Sequence, residues 1–120
     1  MGKLTEYQKS VLLGAIRELT IAGHSETRRV FVNGEELHPE PSQAIRNHSP
    51  DGFSWGYSGS GCSQLALALL YRELNDKELT QRFYQQFKSH FVAALPFGKN
   101  FEYKLCLAHY FETVIKVDDL

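Results

Sequence analysis

Apolar positions near the start of the chain recur at helical spacing. In LTEYQKSVLLGAIRELTIAG, Val11, Leu12, Ala15, Ile16 and Leu19 fall on one side of a helix, and Gly23 stands where it would stop. The spacing predicts a helix over residues 4–20. RRVFVNGEEL follows, a β-branched and aromatic run ending in Asn33-Gly34. Both central residues of a tight hairpin must tolerate positive φ, and Asn-Gly is the strongest short signal for one. In HPEPSQAIRNHSP three prolines withhold backbone donors that a sheet needs, which predicts an irregular surface connection.

The next stretch, DGFSWGYSGSGCSQLALALL, changes period midway. Phe53, Trp55 and Tyr57 alternate with Ser54, Gly56 and Ser58, the pattern of a strand with one aromatic face to bury and one nearly bare face. The bare face lets a helix or a ligand approach the backbone closely. After Gly59-Ser60-Gly61, the run Leu65 to Tyr71 is apolar all round at helical spacing, so a helix over 62–74 should lie at the centre of the core. Asn75 as N-cap, Glu78 three residues on, and Leu74 opposite Leu79 then read as a capping box with a hydrophobic staple. Leu79, Phe83, Phe87, Phe91 and Ala94/Leu95 form the stripe of the next helix, which Pro96 and Gly98 end. Asn100 can cap a last helix over 100–117 with Leu107, Phe111, Val114 and Ile115 on one face. A strand over 101–106 is the alternative, since Phe101, Tyr103 and Leu105 also alternate.

Composition narrows the class. A length of 120 residues suits one domain, 1–120, without repeats or low-complexity linkers. Eight Phe, six Tyr and one Trp argue against disorder. Thirteen basic and fourteen acidic residues leave a net charge of -1, so no general pull toward nucleic acid or an anionic membrane exists. The longest apolar run is too short for a bilayer, and no secretory h-region opens the chain. Cys62 and Cys106 have no spacing signature and read as free thiols in a cytoplasmic setting, with a disulfide between them as the minor alternative.

VFVNGEEL, followed by FSWGYSGSGCSQLALALL, resembles an uncharacterised bacterial and phage family, domain of unknown function 6166. Phe53, Trp55, Gly56, Tyr57, Gly59, Ser60, Gly61, Gln64, Leu65 and Ala66 match its phrase in order. Ser58 stands where that phrase has Gly, and Cys62 where it has Pro. The similarity covers Arg28 to Leu95, which leaves residues 1–23 as an N-terminal helical extension and 100–117 as a C-terminal helix. The resemblance implies no activity; it implies a small accessory protein of phage or mobile elements, with counter-defence as one role. A proline favours the first helical position. That makes Gly61 the N-cap and lets Gln64 reach back to the Gly61 N–H.

Candidate chemistry is sparse. The turn Gly59-Ser60-Gly61-Cys62-Ser63-Gln64 could hold an anion on free N–H groups at a helix start, but it fits neither the Walker nor the dinucleotide spacing. Cys62 in a first helical turn could be a nucleophile with His24, His38, His48, His90 or His109 as partner; proline at this position in the family pattern argues against a required thiol. Cys106-x-x-His109 offers half a zinc site and no second pair exists. Arg28, Arg29, Arg46, Lys88 and Lys99 form no run that would mark a nucleic-acid face.

These readings predict an α+β fold. A small antiparallel sheet, residues 29–37 plus 53–57, packs against three or four helices around the helix at 62–74. They predict a non-enzymatic binding protein without cofactor or metal, acting on a macromolecular partner, a protein first, with nucleic acid open but unsupported and no membrane; the family resemblance implies a bacterial defence component, of the CRISPR-Cas kind, as one such partner. The alternative is a small ligand- or nucleotide-binding or cysteine-dependent hydrolytic domain using the Gly59–Gln64 turn.

Overall fold

The computed structural model describes residues 2–120. Five α-helices, α1 (Glu6–Leu13), α2 (Glu40–Ile45), α3 (Ser60–Leu74), α4 (Lys77–His90) and α5 (Leu107–Tyr110), accompany four strands. The strands are β1 (Glu18–His24), β2 (Arg29–Val32), β3 (Glu35–Leu37) and β4 (Phe101–Cys106), paired antiparallel throughout in the order β3-β2-β1-β4. The class is α+β. The β2–β3 hairpin turns at Asn33 (φ 52) and Gly34 (φ 83), the two positive values that the Asn-Gly dipeptide supplies at least strain.

The first predicted helix is cut short. Thr5 caps it: its hydroxyl accepts from the Gln8 N–H at 3.0 Å while Gln8 Oε1 accepts from the Thr5 N–H at 2.9 Å. The helix ends at Gly14, and residues 18–24 form a strand instead. Leu19, Ile21 and Gly23 alternate on its buried face, and that period of two prevails over a helical period that also fits Leu19. Gly23 is no helix stop. It leaves room for the Phe101 ring, which a Cβ there would overlap.

The other difference concerns the fourth strand. Residues 53–57 join no ladder and bend from Gly56 onward, because Gly52 (φ 103) and Gly56 (φ 86) break the strand twist on either side of Ser54 and Trp55. The sheet is completed by β4, so the predicted helix over 100–117 shrinks to α5 and a π turn over Phe111–Ile115. Asn100 caps no helix; its Oδ1 accepts from the Ser25 N–H at 2.8 Å and ties the start of β4 to the β1–β2 turn. Within the prolines, Glu40–Ile45 is a short helix rather than irregular chain, since Pro39 and Pro41 fall at its start, where no donor is needed.

Leu19, Ile21, Val30, Val32, Leu37 and Phe101 turn one sheet face toward the helices, and α3 lies in the middle of that core. Every residue from Gly61 to Leu70 is buried. Fully burying each leucine of that run is worth about 1.5–3 kcal/mol, so the apolar phrase is the main cohesive element. At the end of α3, Asn75 adopts the left-handed conformation (φ 49) and closes the helix; Asp76, not Asn75, caps α4, accepting from the Leu79 N–H at 2.9 Å. An asparagine tolerates positive φ, which frees the aspartate one residue on for capping. The stripe Leu79, Phe83 and Phe87 is buried as its spacing predicts.

Candidate binding site

The aromatic segment 53–57 is held by backbone hydrogen bonds at Ser54 and Gly56. The Ser54 N–H donates to Gly61 O (3.1 Å) and the Gly56 N–H to Val92 O (3.0 Å). A Cβ on Gly56 would lie 2.5 Å from Phe97 Cα and 2.8 Å from Leu95 O, so only glycine admits the turn that follows α4. The bare face read in the sequence therefore receives protein on both sides, the first turn of α3 at Gly61 and the Leu95–Phe97 backbone. The Trp55 indole N–H donates to Lys99 O (3.0 Å), and its ring stands edge-on to Phe101 at 5.0 Å. Two loops distant in sequence are thus tied side by side.

What this leaves outside is a pair of rings. Phe53 and Trp55 are buried, but Tyr57 is 42% exposed and meets Phe97, itself 67% exposed, edge to face at 5.5 Å. Gly59 lies against the Tyr57 ring, with no room for a side chain between them. Opposite these rings stands the β1–β2 turn, with Ser25 and Arg28. Arg28 is held in the left-handed region (φ 59) with its N–H on His24 O at 2.7 Å. Together these groups line a cleft of about 350 Å³ with Ser54, Trp55 and Gly98, and among the described residues no carboxylate lines it. Among the described residues Arg28 enters no ion pair, whereas Arg29 is committed to Glu36 at 2.7 Å. That bond and the adjacent charge hold the Glu36 carboxyl below its usual range. Among the described residues lining this cleft, Arg28 is the one cation.

The sequence-predicted turn forms the back of this region. α3 begins one residue after Gly59, its N-cap, so Gly61 is not the cap and Cys62 is the third helical residue. Ser60 is exposed, Gly59 half-buried, and Gly61, Cys62, Ser63 and Gln64 are buried. Cys62 belongs to the core cluster. Among the described residues, the side-chain hydrogen bonds of histidine run to tyrosines: His48 Nε2 to Tyr84 Oη (2.7 Å) and His90 Nδ1 to Tyr110 Oη (2.9 Å). None runs to Cys62. Cys106 is half-buried and donates to Ile16 O, and no group of three or more His, Cys, Asp or Glu gathers to hold a metal among the described residues.

Gln64 does not close a capping box. Fully buried, it points across to the 42–49 connection. Its Oε1 accepts from the His48 and Ser49 N–H groups (2.8 and 3.0 Å), and its Nε2 donates to Ser42 Oγ (2.8 Å) and Arg46 O (3.2 Å). Burial, then the charges of Arg46 and Lys88, hold the His48 imidazole below its ordinary pKa.

A family model for proteins of unknown function, DUF6166, matches residues 21–109. The chain belongs to that family. In DUF6166 terms the match takes in the sheet from Ile21 onward, the aromatic segment, α3, α4 and the start of α5; α1 lies outside it. No curated protein and no solved structure matches the chain. Among the described residues no helix is long and apolar enough to cross a membrane. The cleft residues Ser25, Arg28 and Phe97 escape the DUF6166 phrase. Phe97 had a local signal: it sits between Pro96 and Gly98, out of phase with the α4 stripe, at a turn tip where burial is hard to arrange.

Proposed function

We propose that this chain is a non-enzymatic protein that docks on a macromolecular partner through the cleft between Arg28 and the Tyr57–Phe97 pair. One observation carries the reading: Phe97 presents most of an apolar ring to water from a turn that Gly56 packs against and the Trp55 indole N–H bonds to. A ring outside the buried core, packed only at its edge against the half-exposed Tyr57 and placed beside an unpaired arginine, has the composition of a protein interface centre. Fixed in advance, these groups lose little freedom on binding. The matching element is a protein segment that inserts an apolar or aromatic side chain against the rings and sets a carboxylate on Arg28. A nucleic-acid strand would call for a line of cations tracking its phosphates, and the cleft offers one.

Within this proposal, inhibition of a bacterial defence system by a phage or mobile-element product rests on the family resemblance alone and assigns no residue a role. The anion-binding or hydrolytic alternative at Gly59–Gln64 draws support only from the helix start, because its thiol is enclosed.

The test is photo-crosslinking in host cells. A photoreactive phenylalanine replaces Phe97 in one variant and Val114, half-exposed and outside the cleft, in another. The expected result is a discrete adduct from position 97 that is lost on adding Arg28→Ala and is absent from position 114. Equal adducts from both positions, or none from 97, would contradict the proposal.

A further inference from the structure

The outer edge of β4 offers a second surface. The sheet order places β3 and β4 at the two edges. β3 has three residues, and its Glu35 is engaged by Arg72 at 3.0 Å. β4 has six, and its middle, Glu102-Tyr103-Lys104, is exposed, Tyr103 by 54%. Among the described residues no backbone group of Glu102, Tyr103 or Lys104 bonds outside the β1–β4 ladder. Such an edge is a template for another strand.

The direction of its free groups follows from β1. Thr20 faces β2: the Asn33 N–H donates to Thr20 O, and the Thr20 N–H donates to Asn33 Oδ1, both at 2.8 Å. Backbone groups alternate along a strand, so those of Leu19, Ile21 and Gly23 face β4, where they oppose Leu105, Tyr103 and Phe101. The N–H and C=O groups of Glu102 and Lys104 consequently point out of the sheet.

We propose that β4 pairs antiparallel with β4 of a second copy of this chain, about a twofold axis at Tyr103. In that register Glu102 of each copy lies opposite Lys104 of the other, and each such pair exchanges both of its backbone hydrogen bonds. Opposed residues point to the same face, so each carboxylate stands beside an ammonium on the open face of the sheet. The two Tyr103 rings meet on the helix-bearing face, where each is already edge-on to Phe91 at 5.3 Å. Moving the axis by one residue sets Glu102 against Glu102 or Lys104 against Lys104, which like-charge repulsion disfavours. The edge is therefore self-complementary in one register.

Sedimentation velocity of the full chain from micromolar to millimolar concentration tests this with Glu102→Lys, Lys104→Glu and the double exchange. The expected result is a dimer in the unaltered protein, weakened about tenfold by either single reversal because two opposed pairs turn repulsive, and restored by the double exchange. The Glu102 and Lys104 amides should exchange more slowly with deuterium as concentration rises, while Tyr103, already bonded to β1, stays unchanged. A monomer throughout the range overturns the proposal, as does a dimer indifferent to the single reversals or not recovered by the double exchange. Slowed exchange confined to other segments also overturns it.

Discussion

Deleting the amide of Gln64 would strand groups on both sides of a buried contact. Two N–H donors at His48 and Ser49 and two acceptors at Ser42 and Arg46 lose their partner together. At about 1 kcal/mol for each bond left unmade, offset where water enters, Gln64→Ala should cost about 3 kcal/mol in urea unfolding. A cost below about 1 kcal/mol would show the network to be replaceable by water. His48, anchored by this network, makes stability pH-dependent. Its folded pKa lies below the ordinary 6.5, first through burial and then through Arg46 and Lys88. The unfolded chain thus binds the proton more readily. The contribution is full above the unfolded value and is lost as the pH falls through it toward the lower folded one. Between pH 7.5 and 5.5 the wild-type protein should lose more stability than His48→Gln; parallel losses would assign the pH dependence to other groups. Neither role was legible in the sequence. A glutamine three residues past a glycine resembles a capping partner, and only the fold brings the 42–49 connection within its reach.

Among the elements, those with one dominant period were readable and those with two were not. α3 and α4 carry unbroken helical stripes, and the Asn33-Gly34 hairpin carries its turn chemistry. β1 was hidden because Leu19 extends a plausible helical face, and β4 stood only as the alternative because Leu107 extends another; strand pairing with a distant segment decided the outcome, and that is a non-local term. The proline-rich connection shows the same limit, since Pro39 and Pro41 break a sheet but suit a helix start. The entry to α3 yields a sharper expectation. The first hydrogen bond shown at that entry is from the Ser63 N–H to Gly59 O at 3.0 Å, so the Cys62 N–H precedes the ladder and proline can stand there. Cys62→Pro should keep the α3 helix, lose only what the buried thiol's packing contributes, and retain binding. Loss of binding with unchanged circular dichroism would revive a role for the sulfur.

At the scale of the molecule, the phrase from Phe53 to Leu70 has two duties that pull on the same glycines. It starts the central helix against Ser54, and it holds the 95–99 turn so that Phe97 cannot fold inward. The sequence showed the first duty. The second needs residues forty positions apart and the β1–β2 turn, and no local pattern links Arg28 to Phe97. The central claim is that Phe97 serves an interaction rather than the fold. It is tested most directly by measuring stability and partner retention on the same Phe97→Ala protein. The cleft account predicts an unfolding free energy within about 0.5 kcal/mol of wild type, as for surface positions, together with loss of the partner crosslinked from that position. A loss of about 3 kcal/mol, the cost of a buried phenylalanine, with partner retention intact would contradict it.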